Sequence, residues 1–146
     1  MTLQDRIKSI LGDKTLDYGG KARALARIVT TKELDELLPR PADLPRLKEP
    51  IRMKEKGLKT LNLSIKPVYY NQILGGSKKI EYRDYTEYYK QRCTYQEGGR
   101  LWLVPYDALV LHEGAKRSMT VRVVDITCDG AYFMFHLGDV LYASPE

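Results

Sequence analysis

The chain has 146 residues, 43% of them apolar and 29% charged, with a formal net charge of +5. That length fits one domain, or one domain with an appendage, and the apolar share is enough for a real core. The two cysteines form neither a Cys-x-x-Cys pair nor a zinc pattern, and no run approaches the roughly 20 apolar residues of a membrane helix, so a disulfide scaffold, a zinc module and a helical membrane protein are excluded.

The first 14 residues lack the apolar stretch of a signal peptide. The expected location is the cytoplasm, with Cys93 and Cys128 as free thiols and no membrane contact. The basic balance fits a polyanionic partner, although many basic proteins of this size bind none.

Residues 1–38 predict three short helices. Thr2 and Asp5 have the spacing of a capping box with Asp in the Glu place, and Leu3, Ile7, Ile10 and Leu11 then share a face. After Gly20, Ala22, Leu25, Ala26 and Val29 recur at helical spacing. Thr30 with Glu33 opens the run Leu34, Leu37, Leu38. Lys21, Arg23 and Arg27 invite comparison with a helix-turn-helix, but the spacing is not diagnostic and a packing appendage is the stronger reading. Pro39, Pro41, Pro45 and Pro50 follow. Proline lacks an N–H and fixes φ, so residues 39–57 read as an extended, charged linker lying on the next domain, residues 58–146.

From residue 58 the pattern changes. Leu61, Leu63 and Ile65 alternate, as in a half-buried strand. Pro67 suits the first turn of a helix, Tyr69 with Ile73 and Tyr70 with Leu74 are i,i+4 pairs, and Gly75-Gly76 ends it. Residues 79–84 read as a second strand, and 86–92 as a short helix or a structured loop. Four more strands are expected at 100–104, 108–112, 119–126 and 131–137. The turns between them are Pro105-Tyr106-Asp107, Glu113-Gly114 and Asp129-Gly130, the last a strong hairpin signal. The fold class is α+β: a small, strongly curved sheet or barrel with helices packed outside it.

Chemistry concentrates in one segment. Seven of the eleven tyrosines fall between Tyr69 and Tyr95, interleaved with Lys78, Lys79, Arg83, Lys90 and Arg92 and preceded by Lys66. Bases stack on rings and phosphates seek Lys and Arg, so the composition suits a single-stranded nucleic acid. The bland alternative is that about half of these tyrosines pack a barrel edge.

Lys66 stands at the start of the Pro67 helix, where free N–H groups and the helix dipole favour an anion. Glu81 and Arg83 lie two apart on a strand and so share a face, which Lys79 joins. That pair is either a structural ion pair or the wall of a polar cleft. Lys78 is three residues before Glu81, so it reaches the same cleft only from the turn or through a bulge. Tyr85 with Tyr88 or Tyr89 has the spacing of a helical face. Trp102 is open between core and ligand-facing roles. His112 and His136 form no metal-ligand pattern. The tip from Glu113 to Ser118 is basic, a solvated turn or an outlying phosphate contact.

The block Leu63-Ser64-Ile65-Lys66-Pro67, a short helix, and then Gly76-x-Lys78-x-x-Glu81-x-Arg83 resembles the ASCH domain, a branch of the PUA-like superfamily. The strand ending His112-Glu113-Gly114, the strand 120–126 and the closing Phe135-His136-Leu137-Gly138 are also similar. The likeness spans residues 58–141; residues 1–56 have no counterpart in it.

The resemblance implies a PUA-like β-barrel of about five to six strands with flanking helices, here carrying a small helical N-terminal extension. It implies RNA or a modified nucleoside as ligand, held by Ser64, Lys66, Lys78, Glu81, Arg83, Tyr82 and Tyr85. Some relatives are ribonucleases and some hydrolyse the amide of an acetylated cytidine.

The expectation is an RNA-binding module that takes a single-stranded segment or a modified base into a basic, tyrosine-lined cleft. The first alternative is a ribonuclease in the same cleft, with Glu81 as general base beside Lys78 and a divalent metal as its optional cofactor; otherwise no cofactor or metal is expected. The amidohydrolase reading is weaker, because that branch has a threonine nucleophile where this chain has Glu81. A protein-interaction domain with a vestigial pocket is the remaining alternative.

Overall fold

The computed structural model describes residues 1–38 and 44–144, so Pro39 and Pro41 of the proline-rich stretch lie outside the described residues. Three short helices come first: α1 (Leu3–Leu11), α2 (Tyr18–Ala26) and α3 (Thr31–Leu37). Each starts at a side chain that accepts an otherwise orphaned N–H. Thr2 and Asp5 form the reciprocal capping box, Asp17 accepts from the Gly20 N–H, and Thr30 accepts from the Glu33 N–H. Their apolar faces meet in a small cluster built on Ile7, Leu25 and Leu34.

The chain then enters the main core. Leu44, Pro45, Arg46 and Leu47 are buried, and Leu47 belongs to the same cluster as the sheet residues. The elements that follow are β1 (Thr60–Ser64), α4 (Pro67–Leu74), β2 (Ile80–Asp84), α5 (Glu87–Cys93), β3 (Thr94–Glu97), β4 (Arg100–Leu103), β5 (Ala108–Glu113), β6 (Arg117–Cys128) and β7 (Tyr132–Ala143).

Five strands make one curled sheet in the order β1-β5-β6-β7-β2, and β3 with β4 forms a separate two-stranded hairpin. Strand β1 runs parallel to β5; the other neighbours in the sheet are antiparallel. The curl has a visible source. Register shifts between β6 and β7 fall around Thr120, Val121, Val123 and Asp125, and such bulges tighten the local twist.

The apolar residues of the inner face alternate as a half-buried sheet requires. Leu61, Leu63, Leu109, Leu111, Val121, Phe133 and Phe135 are buried, and Tyr70 and Ile73 of α4 and Cys93 of α5 close over them.

The α+β class and a barrel-like sheet are therefore as expected, with three differences in detail. The sheet is a half-barrel of five strands: β1 and β2 are its two edges and do not pair with each other. The strands expected at 119–126 and 131–137 are longer, Arg117–Cys128 and Tyr132–Ala143, because they keep pairing with each other far from the Asp129-Gly130 turn, through Val121 with Val140 and Met119 with Ala143. Strand β3 was not expected; its burial shows no inward-outward alternation. Among the described residues no helix is long and apolar enough to cross a membrane.

Candidate functional site

The two unpaired edges of the half-barrel meet across one arginine. Arg83 on β2 donates through Nη2 to the Ser64 carbonyl at the end of β1, 2.8 Å away, so a side chain spans a gap that a ladder of backbone bonds would otherwise close. The same Nη2 donates to Glu81 Oε2 at 2.8 Å, and Nη1 donates to the Tyr89 hydroxyl at 3.0 Å. Glu81 and Arg83 share a face of β2, as their spacing requires. Glu81 is only 5% exposed.

Lys78 reaches Glu81 from the turn. The backbone at Gly76 has φ +85°, which glycine adopts without strain, and the Ser77 and Lys78 N–H groups both donate to the Gln72 carbonyl. This geometry holds Lys78 ahead of the strand, with Nζ 3.6 Å from Glu81 Oε1. Its ammonium also lies 5.5 Å from the centre of the Tyr69 ring and 5.3 Å from that of Tyr82. An ammonium between two rings is held by their quadrupoles.

Glu81, Arg83, Tyr69, Tyr82 and Tyr89 line an open concavity of about 310 Å³, at the small end of the range for ligand sites, and Lys78 touches it through Glu81 and two of the rings without lining it. Ser64, Ile65 and Lys66 form one wall, Glu81 to Asp84 the other, and Tyr69 and Tyr89 complete it. Lys66 is the N-cap of α4, Pro67 brings no N–H, and no side chain caps the helix start. The positive end of α4 and the Lys66 charge therefore converge on one side of the concavity.

Burial works against the Arg83 charge, but the hydrogen bonds to Glu81 and Tyr89 outweigh it and hold the guanidinium above its ordinary pKa. Its Nε–H is buried and has no partner. A buried donor without a partner is costly, by about 1–3 kcal/mol.

Of the residues singled out from the sequence, Ser64, Lys66, Glu81, Tyr82 and Arg83 line the concavity, and Lys78 stands beside it against Glu81. Tyr85 does neither. It precedes α5, whose N-cap is Thr86, and its ring packs on Phe133 with centroids 5.1 Å apart. It therefore shares no helical face with Tyr88 or Tyr89. Lys79 also fails to join Glu81 and Arg83: it is exposed, and its ammonium lies by the Gly76 turn.

Tyr69, Asp84 and Tyr89 line the site without having been singled out for it. The signal for Tyr69 was its place one turn into the helix that Lys66 caps. Tyr89 gave no such signal, because its role depends on how α5 folds back on β2.

The other candidates lie elsewhere. His112 Nε2 donates to Asn62 Oδ1 at 2.8 Å, and His136 is hydrogen-bonded to Thr127 Oγ1 at 2.9 Å. Burial lowers the His136 pKa. Among the described residues no three His, Cys, Asp or Glu side chains gather closely enough to hold a metal ion. Thr86 caps α5 and Ser77 donates to the Gln72 carbonyl, so neither hydroxyl is aimed at the site.

Arg117, at the basic tip, turns back to pair with Glu113 and to stack on Tyr70 at 4.1 Å. Trp102 sits on the β3–β4 hairpin and donates to the Glu97 carbonyl at 3.0 Å. Arg23 pairs with Asp129 at 2.8 Å, and Lys21 donates to the Leu11 carbonyl at 2.9 Å, so the second helix spends both cations on packing contacts.

Two further hollows lie apart from the concavity, and the larger also gathers cations and a tyrosine, Lys48, Arg52, Lys54 and Tyr95. One, between α2 and the β6–β7 turn, has about 60 Å³ and holds no more than a few waters. The other, about 430 Å³, lies against residues 48–54 and pairs Lys54 with the buried Asp107 at 3.5 Å. Compared with known proteins, the chain matches no family model, no curated protein and no solved structure.

Proposed function

We propose that the gap between the edges of the half-barrel binds RNA, taking a single-stranded segment or one modified base between its tyrosines. On this reading the chain is an ASCH-type member of the PUA-like superfamily, with the Gly76-x-Lys78-x-x-Glu81-x-Arg83 motif as the polar wall. The observation that carries it is the Arg83 hub. A half-buried guanidinium, whose Nε–H is unpaired, sits beside an ammonium held between two rings, next to an uncapped helix N-terminus. Phosphate or a base carbonyl suits the cations, and the tyrosine rings offer stacking. Glu81 Oε1 faces Lys78 at 3.6 Å, longer than a hydrogen bond, and so can still accept from the amino edge of a base.

Binding is favoured over cleavage on geometric grounds. Both oxygens of Glu81 face cations, which suits an acceptor better than a general base, and both histidines are hydrogen-bonded outside the cleft. The test is fluorescence anisotropy with a labelled single-stranded RNA at low salt, with magnesium present. Arg83→Ala and Lys66→Ala are each expected to weaken binding by about ten- to a hundredfold, the worth of a hydrogen bond to a charged group. Unchanged affinity in both variants would remove this cleft as the site. A signal that rises and then decays would mean cleavage, and Glu81→Gln would be the next variant.

A further inference from the structure

We propose that the RNA path does not end in the cleft but continues over the outer face of α5, where Tyr88 and Arg92 form a second station. This rests on the RNA-binding reading of the cleft and gives the bound strand a direction. A continuous line of contacts leads there. Arg83 donates to the Tyr89 hydroxyl at 3.0 Å, the Tyr89 and Tyr88 rings meet edge to face at 5.0 Å, and Arg92 lies over the Tyr88 ring at 4.4 Å. Tyr88 and Arg92 are four apart on α5, so they share one helical face.

That face is not needed for the core. Tyr88 is 57% exposed and, unlike Tyr85 and Tyr89, does not pack against the main cluster. An exposed tyrosine by itself is ordinary. An exposed ring carrying a guanidinium, in contact with the wall of a cationic cleft, offers both things that a single strand uses: a surface on which a base stacks and donors for its phosphate.

The station is also held still. Cys93, next in the chain, is fully buried, and the Arg92 carbonyl accepts from the Tyr106 hydroxyl at 2.5 Å, so the backbone under the arginine is anchored while its side chain stays exposed. A net charge of +5 favours a polyanion as occupant of this face over a protein of like charge.

Two labelled oligouridines separate the stations. A dinucleotide fills the cleft alone; a ten-nucleotide strand reaches α5. Replacing Tyr88→Ala together with Arg92→Ala is expected to cost about tenfold in affinity for the longer strand and nothing for the dinucleotide. The salt dependence of the longer strand should fall by about 0.7 in log–log slope, the value of one phosphate contact on a single strand. Tyr88→Trp should retain full affinity, which guards against a folding defect, and Arg83→Ala should weaken both ligands.

If the double variant binds the longer strand as tightly as the unaltered chain while Arg83→Ala does not, the second station is wrong and the cleft reading stands. Equal loss on both ligands in the double variant would also overturn it, since Tyr88 and Arg92 would then act by shaping the cleft. Should the unaltered chain bind neither oligouridine, the single-strand reading of the cleft fails and the path over α5 falls with it.

Discussion

Glu81 is nearly buried and faces two cations, Lys78 and Arg83, whose own side chains are 18% and 15% exposed. A carboxylate so placed neutralises its neighbours as much as it serves a ligand. Removing one member of a buried ion pair leaves uncompensated charge, and that loss exceeds the net worth of the pair itself. Glu81→Gln keeps the shape and deletes the charge, so it is expected to destabilise the fold by about 3 kcal/mol, the lower end for a buried pair because some solvent reaches the cations. A urea titration reads this directly; a loss below about 1 kcal/mol would mean that the triad is screened like a surface pair.

At the scale of elements, the junction of α5 with β3 holds the cleft wall in place. Cys93 ends the helix in the core, Thr94 Oγ1 donates back to the Lys90 carbonyl at 2.5 Å, and the Tyr106 hydroxyl reaches the Arg92 carbonyl. Burial pushes the Cys93 thiol up to about 12, despite the pull of Arg92 and Arg83 in the other direction. It does the same to Cys128 on β6, also to about 12, and raises Tyr106. An unfolded thiol ionises near pH 8.5, roughly its reference value. Above that pH the unfolded chain has released protons that the fold still holds, so stability present below the window is lost as pH rises from about 8.5 towards 12. Urea midpoints at pH 8 and pH 10 should show the fall. Alkylation at pH 8 should be slow for the native thiols and fast once urea unfolds the chain; rapid modification of native Cys93 would contradict its burial.

Across the whole molecule, the three helices are joined to the half-barrel on the side of the β6–β7 turn, and no described residue of 1–38 lines the cleft. Gly19 packs tightly at this seam. A Cβ there would stand 2.7 Å from Asp129 Cβ, and Asp129 is itself paired with Arg23. Arg46, nearly buried, donates to the Tyr18 hydroxyl at the same seam. Gly19→Ala must therefore push α2 away from the turn, an overpacking expected to cost about 1–3 kcal/mol. The thermal midpoint should drop while the RNA affinity proposed for the cleft stays unchanged. A parallel loss of affinity would show that the helical layer acts on the cleft from a distance.

Local chemistry alone made much of this legible. The capping residues Thr2 and Thr30, Pro67 in the first turn of α4, and the Asp129-Gly130 hairpin depend on neighbours a few residues away; Asp17, which starts the second helix ahead of Gly20, was not read from the sequence. So does the shared face of Glu81 and Arg83; for Lys78 the sequence left the turn and a bulge open, and the structure holds it in the turn. Period and turn chemistry say which way a side chain points; they do not say what lies across from it. Tertiary structure decided that β1 pairs in parallel with β5 and leaves an edge open towards β2. It decided that Arg83 crosses that opening to the Ser64 carbonyl, and that Tyr89, not Tyr85, faces the cleft. Those outcomes depend on long-range packing against a curled sheet, where the curl comes from bulges that no periodic pattern in the chain announces.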